Sequence, residues 1–398
     1  MGKITDRLKY LSISDFKHIF LFLFAVPVSW YFKRKHKDLW LICEDGTMAR
    51  DNGYWLFRYL HENHEEIDSA YVISKNSPDF DKVKNLGKIV YFKTFTHWIY
   101  YLAANYNISS TKLGKPSCAV CFPLEQLGLL KAKRVFLQHG ITKDDMPTLY
   151  YEPCKFSLFA TAAKREFDFI ENKFGYSDKN IVKLIGFCRY DNLMNYKKVY
   201  KEKQILIMPT WRDWLGNASL HISDENFLKS EYFITYQNLL KNQKLITFVE
   251  ENELKIVFFP HKAMQKYISC FKAGSSNITI ADWHNYDVQE LLMESSFLIT
   301  DYSSIFFDFA YMKKPLLYYQ FDYEKFRSGH YEEGYFSYKN DGFGEICKTE
   351  DELVNLIASY AENGFHMKDI YENRVSNFFT FSDNKNCERT FEAIKLIF

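Results

Sequence analysis

Four short motifs, each directly after an apolar run, carry the side chains with chemistry to offer. Gln138-His139-Gly140 follows the run 134–137. A histidine there can take up a proton near neutral pH, and the glycine beside it permits close approach of the backbone to a ligand. Pro209-Thr210-Trp211-Arg212 follows 205–208, and its arginine offers a planar fork of donors suited to phosphate oxygens. Pro260-His261-Lys262 follows 255–259 and supplies a second imidazole, able to donate to a phosphoryl oxygen as charge develops. Thr300-Asp301-Tyr302-Ser303-Ser304 lies between the apolar run 297–299 and a helical pattern over 305–312. Backbone N–H groups, hydroxyls and the positive end of a helix dipole make such a start a phosphate site without a glycine-rich loop.

Each motif also has an ordinary structural use: a histidine completing a turn, an arginine in a surface ion pair, a serine capping a helix. Neither the P-loop pattern nor GxGxxG occurs, so the nucleotide fingerprints are absent. Asp79-Phe80-Asp81 has the DxD form of a metal site, but in a polar loop that triplet arises readily by chance. Cys118 and Cys121 form one CxxC without the second pair or the histidines that zinc requires. No metal or cofactor is required by these residues, though a divalent ion is compatible with them.

The elements that must position these motifs are short apolar runs alternating with helix-like stretches, the pattern of parallel sheets with crossover helices. Strands are expected at 39–43, 70–74, 88–92, 106–109, 134–138, 157–160 and 182–185, with helices at 54–61, 97–104 and 163–174. The chain turns polar and rich in lysine and tyrosine over 192–203. A second series then gives strands at 204–208, 254–259, 278–280, 297–300 and 315–319, and helices at 225–250, 288–295, 304–313, 351–362 and 388–398. The fold class is therefore α/β, with two Rossmann-like, doubly wound domains over 38–195 and 196–385. An apolar segment (1–37) precedes them and a terminal helix (386–398) follows. Ligands bind such sheets at the strand ends, where the four motifs lie.

A chain of 398 residues with 47% hydrophobic and 25% charged residues can bury two sizeable cores, which excludes global disorder. Its 51 basic and 50 acidic residues give no electrostatic case for a nucleic-acid partner. Eight scattered cysteines fit a reducing compartment better than a disulfide scaffold. Residues 19–32 read IFLFLFAVPVSWYF, followed by Lys33, Arg34, Lys35, His36 and Lys37. The run is shorter than the roughly 20 residues a membrane span needs, and it lacks a small-residue cleavage site. An interfacial helix, its apolar side in lipid and its cations on anionic headgroups, explains both ends of the segment; a helix packed on the protein's own core is the alternative.

Taken in order, QHG, GFCRYD (186–191), PTWR, PH and TDYSSIFFDFAYMKKP (300–315) resemble the CDP-glycerol glycerophosphotransferase family of teichoic-acid and capsule-polymer enzymes. Asp51-Asn52-Gly53-Tyr54, Phe321-Asp322-Tyr323 and Arg327 also fit its pattern, so the resemblance covers residues 39 to 360. It implies a GT-B architecture with two domains facing a central cleft, the donor held chiefly by the second, and peripheral attachment to the cytoplasmic face of the bacterial membrane. It implies transfer of a polyol phosphate from CDP-glycerol or CDP-ribitol to a hydroxyl of a lipid-linked or polymeric glycan, with release of CMP.

Carried over by position, His139 is the general base for the acceptor hydroxyl. His261, with Arg212, stabilises the donor pyrophosphate and the departing CMP. Thr210, Ser303 and Ser304 belong to the donor site, and Asp301 and Asp308 order the last loop or touch the polyol. Gly140, Arg189 and Arg327 are placed as polyol contacts or supports. Two departures stand out: Gln138 where the family usually has an aromatic residue, and Cys188 where it has a proline. Two other readings compete. A GT-B glycosyltransferase using a nucleotide sugar would favour a carboxylate base, and a non-catalytic membrane-associated scaffold would have no use for all these motifs together.

Overall fold

The computed structural model describes residues 13–198, 200–201, 203–216, 222–329 and 332–397. Seven strands come first: β1 (Trp40–Ile42), β2 (Ser69–Ile73), β3 (Lys88–Tyr91), β4 (Tyr106–Ser109), β5 (Lys133–Phe136), β6 (Leu158–Thr161) and β7 (Val182–Leu184). Six follow: β8 (Gln204–Ile207), β9 (Lys255–Phe258), β10 (Ile278–Ile280), β11 (Phe297–Thr300), β12 (Leu316–Tyr319) and β13 (Gly344–Cys347). They form two parallel sheets, ordered β3-β2-β1-β4-β5-β6-β7 and β10-β9-β8-β11-β12-β13. Strands such as β1, β6, β8 and β11 are buried along their whole length, because helices cover both faces, and so they read as apolar runs with at most one polar residue, at an end. The strand order reverses between β1 and β4 and between β8 and β11, the positions where doubly wound sheets open toward a ligand.

The chain divides into two compact units, one of residues up to 141, 147–191 and from 383 onward, the other of 142–146 and 192–382. The last helix, Asn386–Lys395, is part of the first unit. The Asp191 carboxylate accepts from the backbone N–H groups of Asn386 (2.9 Å) and Cys387 (2.8 Å), and so caps that helix. Its buried face joins a core with Trp40, Leu56, Leu60 and Tyr71. In the second unit, Ile205, Ile207, Leu239, Phe258, Phe297 and Ile299 centre the core.

Strand β13 does not stand out in the sequence because Glu345 interrupts its apolar run and it lies at a sheet edge. The helix expected over 225–250 is three helices, Asp224–Leu228, Glu231–Lys241 and Gln243–Glu251. Ser230 and Asn242 restart it, their side chains accepting from Phe233 and Leu245 N–H groups.

The N-terminal apolar segment forms helix Ile13–Lys35, which continues through Pro27. One side docks on helix Phe95–Ala103: the Trp98 indole donates to His18 Nδ1 (3.1 Å), Phe22 meets Trp98 edge-on and Phe32 lies on Tyr100. Ala25 and Ser29 are buried, whereas Phe16, Phe20, Leu23, Phe24, Trp30 and Tyr31 are exposed. Among the described residues, no helix is long and apolar enough to cross a membrane.

Candidate active site

In the first unit, the loops after β1, β5 and β7 converge on His139. The turn after β5 reverses at Gln138, whose φ is +61°, the residue immediately before His139. Gln138 is held there because its side-chain amide, fully buried, donates to Ala160 O (2.6 Å) and Glu166 Oε1 (2.9 Å). A buried polar anchor thus stands where the resembling family has an aromatic residue.

The His139 side chain is 66% exposed, and its Nδ1 lies 2.5 Å from Asp51 Oδ2. Asp51 is buried at the start of helix Asn52–Asn63, where its other carboxylate oxygen accepts from Asn52 N–H (2.8 Å) and from Arg189 Nη1 (2.8 Å). Burial opposes ionisation of Asp51, but His139, Arg189 and the hydrogen bonds prevail and hold its carboxyl below the usual range. The Asn52 amide donates to Leu137 O and Gln138 O, and its oxygen accepts from Arg189 N–H, tying the His139 turn to the loop after β7. Arg189, 6% exposed, is therefore a support of Asp51 rather than a polyol contact.

Beneath this pair lies Glu44, fully buried in the loop after β1. It accepts from the backbone N–H groups of Asp51 (2.9 Å), Tyr54 (3.0 Å) and Arg50 (3.2 Å). Burial and the neighbouring Asp51 charge push its carboxyl up to about 8, against the pull of those three donors. The triplet at 79–81 is structural: Asp79 is buried against Arg50 (2.6 Å), while Asp81 pairs with Lys84 (2.6 Å) on the surface. Cys118 and Cys121, like the other cysteines, are free thiols. No group of three or more potential metal ligands occurs among the described residues.

In the second unit the loops after β8, β9, β11 and β12 carry the motifs. Arg212, expected to reach the donor, has a guanidinium with no exposure at all. Its Nε and Nη2 grip both oxygens of Asp322 (2.7 and 3.0 Å), and its Nη1 donates to Asp301 Oδ2 (2.9 Å) and Thr210 O (3.1 Å). The rings of Tyr302, Phe326 and Tyr232 enclose it. Its fork is consumed by carboxylates inside the protein, so its role is to lock three loops together. Asp301 completes the lock by accepting from Thr210 N–H (2.8 Å) and Tyr302 N–H (2.6 Å). Burial pushes its carboxyl up, and Arg212 draws it back.

The locked loops present His261, Ser303 and Ser304, all partly exposed. His261 Nδ1 accepts from Ala263 N–H (3.2 Å), which fixes Nε2 as the ring's donor in the neutral form, and the ring lies nearly parallel to Trp211. Ser303 Oγ accepts from Ile305 N–H (3.4 Å), whereas the Ser304 hydroxyl makes no capping bond to helix Ile305–Tyr311. Asp308 is buried in that helix's first turn. Arg327 pairs with Asp144 (2.8 Å), whose carboxylate also meets Lys143. This contact lies within the second unit, because the segment 142–146 belongs to it.

Asp51, Glu44 and Asn52 carry no signal of spacing toward His139, which lies 88 residues beyond Asp51. The one local clue is that an aspartate before Asn-Gly at a helix start is a capping residue.

Residues 24–396 match the family described as CDP-glycerol:poly(glycerophosphate) glycerophosphotransferase. The chain is 35% identical over 367 residues to the minor teichoic acid biosynthesis protein GgaB of Bacillus subtilis, a match covering 90% of this chain and 40% of that protein. It thus spans well under half of that relative's length. It is 25% identical over 389 residues to a teichoic acid poly(glycerol phosphate) polymerase of Bacillus spizizenii, covering 89% of this chain and 90% of that one. The fold is similar to that of the wall teichoic acid polymerase TagF, with a TM-score of 0.67 at 18% identity over 90% of this chain and 88% of that chain. Motifs in order, two parallel sheets that carry them at their strand ends, and a match over nearly the whole chain agree: the chain belongs to the CDP-glycerol:poly(glycerophosphate) glycerophosphotransferase family.

Proposed function

We propose that the chain transfers a polyol phosphate from CDP-glycerol or CDP-ribitol to a hydroxyl of a lipid-linked or polymeric glycan. The observation that carries this reading is an exposed imidazole, His139, fixed by a buried carboxylate at the C-terminal edge of a parallel sheet. A glycosyltransferase with a carboxylate base fits less well, because the carboxylates here, Asp51 and Glu44, are buried.

His139 takes the proton of the acceptor hydroxyl as its oxygen attacks the polyol-bearing phosphorus. The new O–P bond forms, the P–O bond to CMP breaks, and CMP leaves with the electron pair. His261, Ser303 and Ser304 donate hydrogen bonds to the pyrophosphate, with Thr210, Asp301 and Arg212 holding the loops that carry them. Such a transfer asks mainly for positioning and charge stabilisation, which these groups can supply.

We further propose that the protein works at the cytoplasmic face of a membrane. Phe16, Phe20, Leu23, Phe24 and Tyr31 recur along one side of helix Ile13–Lys35, and Lys33, Arg34 and Lys35 fill its last turn. An apolar side with a basic end suits the headgroup region of anionic lipid.

The test is CMP release by purified protein from CDP-glycerol and CDP-ribitol, each with and without a membrane extract. Acceptor-dependent CMP from one donor establishes the reaction and identifies the polyol. Silence with both, alongside turnover of a nucleotide sugar, overturns the reading.

A further inference from the structure

We infer that Asp51 is the positioning residue of the reaction, fixing the tautomer and orientation of His139, and that Arg189 keeps Asp51 in register for that task. The inference deepens the proposed transfer and rests on His139 being its base.

A neutral imidazole has one donor and one acceptor nitrogen, and a carboxylate can only accept. With Asp51 Oδ2 at 2.5 Å, Nδ1 must carry the proton. Nε2 is then the lone-pair nitrogen, the one able to take a proton from a hydroxyl. Without Asp51 the ring can adopt the other tautomer or rotate, since most of its surface is exposed. The carboxylate also stabilises the imidazolium formed when the proton arrives.

The surroundings make Asp51 hard to displace. It caps a helix and faces Arg189 from the loop after β7, while Glu44 from the loop after β1 binds the backbone N–H of Asp51 itself. From the other side of the turn, the buried Glu166 accepts from the side-chain amide of Gln138, the residue before His139. Arg189 and His139 contact different oxygens of one carboxylate, so the arginine aims the second oxygen at the imidazole.

Asp51→Asn separates this role from a structural one, because asparagine is as good a helix cap as aspartate. Its single oxygen is claimed by Arg189 and the Asn52 N–H, so its NH2 group faces the ring, donates to Nδ1 and favours the Nε2–H tautomer. The first readout needs no substrate: long-range proton–nitrogen spectra of the imidazoles, with the His139 signal assigned by its loss in His139→Gln. In the native chain His139 should be the Nδ1–H tautomer. In Asp51→Asn it should shift toward Nε2–H and titrate at lower pH.

The second readout is turnover. Asp51→Asn should lower kcat by ~10²–10⁴-fold with donor KM within about threefold, the acid limb of the profile moving to lower pH, and Asp51→Glu should recover part of the loss. An unchanged His139 tautomer and titration midpoint in Asp51→Asn would overturn the inference. So would a loss expressed wholly in donor KM. If the tautomer shifts as expected but the native protein turns over no CDP-polyol, Asp51 still holds His139 and it is the proposed transfer that fails.

Discussion

Arg212 and Asp301 face each other with no solvent exposure on either side chain, Nη1 standing 2.9 Å from Oδ2. A buried charge is tolerated only when it is paired and hydrogen-bonded, and here one arginine answers two carboxylates from two different loops. Removing it strands both. Arg212→Met should therefore destabilise the fold by about 3–5 kcal/mol, the usual cost of breaking a buried pair from one side. Denaturant unfolding of the purified variant measures this. A stable Arg212→Met protein that merely binds donor weakly would instead return Arg212 to the donor site.

His139 and His261 should separate chemistry from binding. His139→Ala is expected to lower turnover by ~10²–10⁴-fold and leave CDP-polyol affinity within about threefold, because the base touches the acceptor and not the donor. His261→Ala should weaken the binding of CDP itself, a ligand that carries the pyrophosphate without the polyol. Calorimetric titration of both variants with CDP and with the CDP-polyol decides; equal losses of affinity would contradict the assignment.

Glu44 sets a slope of stability against pH. Its carboxyl titrates near 4.5 when unfolded and is pushed up to about 8 by burial and the Asp51 charge. Between those values the folded chain binds more protons than the unfolded one, so the stability Glu44 contributes is complete below pH 4.5 and is lost as pH rises through 8. Asp51 stays ionised across this window, its carboxyl lying below the usual range. Lys314, which burial pushes down to about 7, adds a slope of opposite sign only above that pH. His97, which burial pushes down to about 3, adds a slope of opposite sign up to about pH 6.5, so the Glu44 contribution is read as a difference: the unfolding midpoint of the native chain relative to that of Glu44→Gln should fall from pH 5 to pH 7.

The exposed side of the N-terminal helix can be tested without undocking the helix. Phe20, Phe24 and Trp30 are 61%, 69% and 71% exposed, so replacing all three by serine should leave thermal unfolding nearly unchanged. Co-sedimentation with vesicles containing anionic lipid should fall by an order of magnitude or more, since each apolar side chain inserted is worth ~1.5–3 kcal/mol. Deleting the whole segment is a poorer test, because it would bare Trp98 and Tyr100.

The strands were legible as short runs set between helix-like stretches: 297–300, buried along its length, matches the observed β11 residue for residue, and so do the partly buried 106–109 and 278–280 for β4 and β10. The helix over 225–250 was legible in type but not in its breaks, since Ser230 and Asn242 read as ordinary polar-face residues until their caps are seen. The structure places His139, His261 and Ser303 at the strand ends where the sequence puts them. Residue type alone misplaced Arg212, because a guanidinium fits a phosphate and a pair of buried aspartates equally well. Asp51 stayed without a role because contact with His139 is a property of the sheet order, which brings the loops after β1 and β5 together, and not of distance along the chain.

The first unit is not finished where its last strand ends. Helix Asn386–Lys395, which contributes Phe391 and Ile394 to the core around Trp40, Leu56 and Leu60, is encoded after the entire second unit. On a ribosome, the 192–382 unit has all its residues in hand before the earlier one does. Until the final helix emerges, the nascent first unit must leave an apolar flank uncovered, and the contact that closes it spans more than 300 residues of chain. Closure of so distant a contact is slow, so the order of synthesis and the order of completion run in opposite directions.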